Sequence, residues 1–455
     1  MNINETLINW AKKSKICKSI ISEERYETLE KALSNNEGER YTNSVELMIS
    51  MWPHELILTP FYKQLADSEY GDKFHANYRD HVAHMLKVFL LGLYMYEKIS
   101  GIHDLFSAYK ESEFISIWII TALYHDVGYL FETENGTHDG ENSKALLEII
   151  NKALHNPLSN LFPDQFDCLL EERIVIDNRL HTPQINSIGD IDRRPASFQN
   201  LLAVSEELRY KKTADNAIQT YYNFTNQLHE GRKYYDHGIF SALLLLLIDD
   251  EVGLYIQSIK NIVDSLPLKR EQITVINNYS ITRDVCYQHV CIAAQAMALH
   301  NIHQNWSDQQ KKDLLAENVY IDGFKILAEK TPFAYLLRIC DEIQCWDRQK
   351  FRYLEKEEFE EMAFGKDVSI ISNKNKLILH IGQDGIKKKI DAALKNVVVP
   401  KYTEWIEFAS SKIKTTTVGK ESNAIGTRKK TTSKNKPPIW LPDAELAIGE
   451  QTSSV

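Results

Sequence analysis

The chain has 455 residues, 43% of them hydrophobic and 25% charged, which is ordinary globular composition with material for a large core. No apolar run reaches the roughly 18 to 20 residues that span a bilayer, and Met1-Asn2-Ile3-Asn4-Glu5 lacks the basic-then-apolar order of a signal peptide, so a cytoplasmic protein without a membrane segment is expected. The formal net charge is -10, but Lys412 to Lys436 alone carries +7; the acidic remainder argues against a wide nucleic-acid-binding face, while the basic tail leaves contact with a nucleic acid or an acidic partner open.

Residues 1 to 70 read as an N-terminal helical segment, with Trp10, Ile16, Ile20 and Ile21 and then Tyr26, Leu29 and Leu33 near helical spacing and a break at Asn35-Asn36-Glu37-Gly38. From Tyr78 a long helix runs to Tyr96 with no Pro and one Gly, and it places His81, His84, Met85 and Val88 on one face. The apolar helix Phe114 to Tyr124 ends in Tyr124-His125-Asp126-Val127-Gly128-Tyr129. An imidazole and a carboxylate on adjacent residues reach one ion only where a helix turns or ends, and Gly128 is expected to supply that break.

A polar loop containing His138 and a helix from about Glu141 to Leu154 follow. Residues 156 to 232, interrupted by Pro157, Pro163, Pro183 and Pro195, read as an insertion. Asp236-His237-Gly238 leads into the apolar run Ile239 to Ile248, a central helix. Arg283 to His303 forms a helix with His289, His300 and His303 on one stripe, and Pro332 to about Phe351 forms another that carries Asp341. Past Phe364 the period changes: Val368 to Ser372 and Lys376 to Ile381 around Asn373-Lys374-Asn375 predict a hairpin, followed by a helix from about Asp384 to Ile413. Residues 414 to 455 are a basic, flexible tail by composition. The fold class is therefore mainly α, with a helical domain over 71 to 364 and a hairpin-and-helix appendage over 365 to 413. Six cysteines (Cys17, Cys168, Cys286, Cys291, Cys340, Cys345) show no C-x-x-C pair and are expected to be reduced thiols.

Metal sites for phosphate chemistry need imidazoles and carboxylates that converge and leave positions for water and substrate oxygen. His84, then His125-Asp126, then Asp341 offer such donors, and an Asp beside Cys340 on an otherwise apolar helix is costly to bury unless it meets a cation. This order, over about Tyr78 to Arg348, resembles the HD-domain superfamily of metal-dependent phosphohydrolases, most closely at Leu123-Tyr124-His125-Asp126-Val127-Gly128. Asp236-His237-Gly238 and Ala296-Met297-Ala298-Leu299-His300-Asn301 resemble the additional His-bearing segments of the HD branch often found beside a chaperone-type ATPase. No such ATPase is visible in the chain, so it would be a separate partner.

The resemblance implies an HD helical core and a first metal held by His84, His125, Asp126 and Asp341. Asp126, the catalytic residue, would bridge to a second metal held by His237 and His300. Each assignment has a plain counterpart. His81 competes with His84 one turn away, Asp236-His237-Gly238 would otherwise be a helix-start cap with His237 lining the cleft, and His300 shares its stripe with His289 and His303. His81, His138 and Arg79 are candidates for substrate contact; Arg79, Lys233 and Arg338 suit either a phosphate or a surface ion pair.

The expected function is hydrolysis of a nucleotide or nucleotide-derived messenger by a phosphodiesterase that uses a metal-activated water. A deoxynucleoside triphosphate triphosphohydrolase and a non-catalytic nucleotide-sensing module are the alternatives. The cofactor is one or two divalent ions, and His and Asp ligands do not discriminate among Mn, Fe, Mg, Zn, Co and Ni. Sequence does not give the oligomeric state.

Overall fold

In the computed structural model the described residues are 2–33, 37–51, 81–131, 237–238, 241–242, 245, 289–301, 325–344, 368–381, 384–395 and 397–409. The expectations for 52–80, the 132–140 loop, the 141–154 helix, the 156–232 insertion and the 414–455 tail lie outside them, as do Arg79, His138, Lys233, His303, Cys168, Cys286 and Cys345. Helix accounts for 70% of what is described, which makes the chain mainly α. Among the described residues no helix is long and apolar enough to cross a membrane.

Four helices open the chain: α1 (Ile3–Ala11), α2 (Lys15–Ile20), α3 (Tyr26–Ala32) and α4 (Glu37–Ser50). Asn2 starts α1 with a reciprocal cap, its side chain accepting from the Glu5 N–H while Glu5 accepts from the Asn2 N–H. α4 packs on α3, and both α1 and α4 pack on α5 (His81–Lys98). α5 is rich in Leu and Met, strong helix formers, and is buried at every residue from His81 to Tyr96. The expected stripe of His81, His84, Met85 and Val88 is thus one part of a helix enclosed on all sides.

After the short α6 (Ser100–Leu105), α7 (Glu111–Tyr124) begins where Glu113 accepts from the Lys110 N–H, and it is buried from Phe114 onward. Its β-branched run Ile115, Ile117, Ile119, Ile120 and Thr121 is a weak intrinsic helix former, so packing sustains it. Gly92 of α5 lies under Trp118 of α7, where a Cβ would come within 2.0 Å of the indole, and the indole N–H donates to the Phe89 carbonyl at 3.0 Å.

Residues 289–300 are helical. α8 (Pro332–Ile343) begins with Pro at its first position, where the missing N–H costs nothing, and packs on α5 and α7. The sequence predicts that this helix continues to about Phe351, but it ends at Gln344. That residue leaves the helical region (φ -73°, ψ 63°), donates its N–H to the Cys340 carbonyl and directs its side-chain amide to His84.

Strands enter at the C-terminal end. β2 (Val368–Ser372) and β3 (Leu377–Ile381) pair antiparallel around Asn373, whose side chain accepts from the Asn375 and Lys376 N–H groups. α9 (Asp384–Leu394) follows, but it does not run to Ile413 as its composition suggests. Val397-Val398-Val399-Pro400 intervenes; β-branched residues favour extended chain, and Pro removes a helical donor. β4 (Val398–Val399) pairs parallel with β1 (Ile326–Leu327), and β5 (Ile406–Ala409) adds parallel to β3. The Tyr335 hydroxyl of α8 donates to the Pro400 carbonyl at 2.9 Å and accepts from the Trp405 indole at 3.0 Å, which ties these strands to α8. Cys17, Cys291 and Cys340 are buried thiols outside any disulfide.

Candidate metal centre

α7 stops at Tyr124, and His125 caps it in near-helical geometry (φ -62°, ψ -29°) before the chain tightens into a 3-10 turn over Val127–Phe131. The helix ends at this turn, as the sequence suggests, and Gly128 sits in the break without adopting left-handed backbone. Its requirement is space: a Cβ there would lie 1.9 Å from the His237 carbonyl oxygen. The Gly128 N–H donates to Ser241 Oγ at 2.7 Å, and that hydroxyl donates to the His125 carbonyl at 2.6 Å. A single buried serine thus joins the His125-Asp126 turn to the segment that carries His237.

The first group of donors forms between α5, this turn and α8. His84 Nε2 lies 3.3 Å from His125 Nε2, 3.5 Å from Asp126 Oδ2 and 2.9 Å from Asp341 Oδ1. His125 Nε2 lies 3.2 Å from Asp126 Oδ1 and 4.0 Å from Asp341 Oδ1. On the far side of each ring, Nδ1 faces an acceptor, Gln344 Oε1 for His84 and the Ala122 carbonyl at 2.9 Å for His125. An oxygen acceptor fixes the proton on Nδ1, so in the neutral rings both Nε2 atoms present lone pairs toward each other and toward carboxylate oxygens. That arrangement is repulsive until a cation enters it.

The second group shares Asp126. His237 Nε2 lies 3.5 Å and His300 Nε2 3.9 Å from Asp126 Oδ1, and the ligand atoms of Asp126, His237 and His300 lie within 4.8 Å of one another. His300 Nδ1 donates to the Met297 carbonyl at 2.6 Å, and its Nε2 is buried with no hydrogen-bond partner. Close packing sets this pair: a Cβ on Gly238 would meet the Met297 carbonyl at 2.5 Å and the His300 ring at 2.6 Å. The His237 ring stacks on Tyr129 at 3.7 Å between centroids.

Burial alone would raise the Asp126 pKa, but the imidazoles of His125, His84, His237 and His81 outweigh it and hold the carboxyl below its usual range. His300 is pushed down to about 3, chiefly by burial and then by His125 and His237, with Asp341 and Asp126 opposing. An ionised carboxylate and a neutral imidazole are the protonation states a metal requires. Imidazoles converging on a buried carboxylate, with the Nε2 of His300 buried and lacking a hydrogen-bond partner, fit a divalent cation on each side of Asp126.

The structure therefore brings together His84, His125, Asp126, His237, His300 and Asp341. His81 is buried beside them, its ring 3.9 Å from that of Tyr129. His289, on the same stripe as His300, instead meets Ser116 Oγ at 2.9 Å. Arg338 neither lies on the surface nor projects freely for a phosphate; it is buried, donates to the His300 carbonyl at 2.7 Å and pairs with Glu342 at 2.9 Å. Sequence reasoning missed Gln344, Ser241 and Tyr129. The available signal was spacing, since Gln344 is three residues after Asp341 and Ser241 four after His237, each one helical turn from a candidate ligand. Comparison with protein-family models, with curated proteins and with solved structures finds no match for this chain.

Proposed function

We propose that the chain is an HD-type, metal-dependent phosphohydrolase, a phosphodiesterase acting on a nucleotide or a nucleotide-derived messenger. One observation carries this reading: a single buried carboxylate, Asp126, stands between two pairs of imidazoles, His84 with His125 and His237 with His300, all with Nε2 within 3.9 Å of one of its oxygens. His84, His125, Asp126 and Asp341 would hold one divalent ion, and Asp126, His237 and His300 the other. When bound, such a pair of ions polarises a phosphoryl oxygen, lowers the pKa of a water for attack and stabilises charge on the leaving oxygen.

The chain's own part is orientation and charge. Asp126 supplies negative charge to both halves, and Asp341, the more exposed carboxylate, lies 2.9 Å from His84 Nε2 and 4.0 Å from His125 Nε2. Gln344, the Ala122 carbonyl and the Met297 carbonyl hold the imidazoles of His84, His125 and His300 with Nε2 inward. The nearby thiol, Cys340, is unsuited to act as a nucleophile: burial raises its pKa well above the ordinary value, and its Sγ packs 3.8 Å from Met95 Sδ.

The test is to incubate the full chain with manganese, iron or magnesium and a panel of cyclic nucleotides, linear dinucleotides, nucleoside triphosphates and single-stranded nucleic acids. Cleavage of a phosphodiester in a small nucleotide, abolished by Asp126→Ala, is the expected result. Release of triphosphate from deoxynucleotides would replace the substrate class, and tight binding of a nucleotide without any product would replace catalysis with sensing.

A further inference from the structure

We propose that Tyr129 is the positioning residue of the second half of the centre: its ring, stacked on His237, fixes the plane in which His237 Nε2 meets Asp126. This rests on the two-metal reading above.

The imidazole of a histidine turns about a soft terminal torsion, so a ligand ring needs something beyond its backbone to hold its plane. For His84, His125 and His300 that restraint is a hydrogen bond from Nδ1 to a fixed oxygen. Against His237 the structure sets a flat surface. The Tyr129 and His237 rings are 3.7 Å apart at 15°, which is face-to-face contact over the whole imidazole. The His81 ring lies 3.9 Å from Tyr129, tilted by 36°. Two rings so close to a third cannot share one of its faces, so Tyr129 is held between His81 and His237. The stack thus runs from α5, through the turn after Asp126, to the second pair of imidazoles.

The platform is anchored to the residue it serves. The Tyr129 N–H donates to the Asp126 carbonyl at 3.0 Å, so the backbone of the platform and that of the shared carboxylate move together. Gly128, immediately before it, lies against the His237 carbonyl and is bonded to Ser241, which sets the height of the His237 backbone over the turn. With both backbones fixed, rotation of the His237 ring out of its plane would carry it into the face of Tyr129. The Nδ1 restraints on His84, His125 and His300 lie outside this stack, so its loss should be felt by the second ion and not by the first.

Manganese binding to the full chain, followed by calorimetry and by elemental analysis after desalting, tests this. Wild type is expected to hold two ions. Tyr129→Leu should retain the first and bind the second about 10- to 100-fold more weakly, the usual penalty for removing an outer-shell support. Tyr129→Phe, which keeps the ring and drops the hydroxyl, should hold both. Tyr129→Met, of similar bulk but with no flat face, should behave as Tyr129→Leu and serves if the leucine variant does not fold. Two ions bound unchanged by the leucine or methionine variant would overturn the positioning role, as would a phenylalanine variant as weak as they are. A wild type that holds one ion would instead remove the two-metal reading itself.

Discussion

Asp126 stays ionised in a place where burial opposes charge, because four imidazoles face it. Its substitution by Asn keeps the shape and removes the charge that both halves share. Asp126→Asn is therefore expected to lose bound metal at both halves, read by elemental analysis, together with any phosphohydrolase activity; retention of both ions would contradict the bridging arrangement. Gln344 acts one step out. Gln344→Leu leaves every ligand atom in place but removes the acceptor that holds His84 Nδ1, and a 10- to 100-fold loss of affinity for the first ion is expected by metal titration. At this scale the sequence was informative where chemistry is written in neighbours. His125 and Asp126 are adjacent, and an Asp on the apolar face of α8 needs a partner. Spacing from a ligand did not single out Gln344 and Ser241, because an amide or a hydroxyl is common on any helix, and only the approach of a distant segment gives it a task. Gly128 was legible as part of the break after His125-Asp126, but the space it leaves for the His237 carbonyl was not, because that carbonyl comes from a distant segment.

Among the elements, the contact of α5 with α7 aims both His84 and His125, and it depends on the absence of a side chain at Gly92. A methyl group there would enter the Trp118 ring, which cannot retreat without losing its bond to the Phe89 carbonyl. Gly92→Ala is expected to destabilise the fold by about 1 to 3 kcal/mol in urea unfolding, the range for an overpacked core. The helix over 289–300 is braced on α7 by His289 and Ser116. Burial lowers the His289 pKa, with Glu113 opposing weakly. Because the folded pKa is below the unfolded one, near 6.5, the unfolded chain takes up the proton first as pH falls. The contribution of His289 is thus complete above that value and is lost below it. Wild type should lose more stability than His289→Gln between pH 7.5 and 5.5, and equal losses would show that His289 is not the group responsible. Long apolar helices such as α5 and α7 were plain in the sequence, since length and composition suffice for them. α9 was overextended because Lys- and Ala-rich sequence resembles helix, whereas the strand pairing of Val398–Val399 with Ile326–Leu327 is decided about 70 residues away.

Across the whole molecule, the donors of the centre come from widely separated parts of the chain, His84 on α5 and Asp341 on α8 with three further segments between. The two ends of the described chain pack against the same helices: α1 packs on both α5 and β2, the Tyr94 and Ser372 hydroxyls meet at 2.9 Å, and a Cβ on Gly101 would collide with Trp405. An unfolded chain cannot assemble such a donor set, so divalent ions bind the folded state selectively and stabilise it by mass action. At an ion concentration about 100 times the dissociation constant the gain is about 2.7 kcal/mol. The unfolding entropy of a chain of 455 residues is about 1 kcal/mol per kelvin, so that gain raises the midpoint by about 3 °C. Scanning calorimetry with manganese and then with excess chelator should show this difference in wild type and its loss in Asp126→Asn. Because both pairs of imidazoles converge on Asp126, a variant that keeps the full shift would place the stabilising ion somewhere other than this centre.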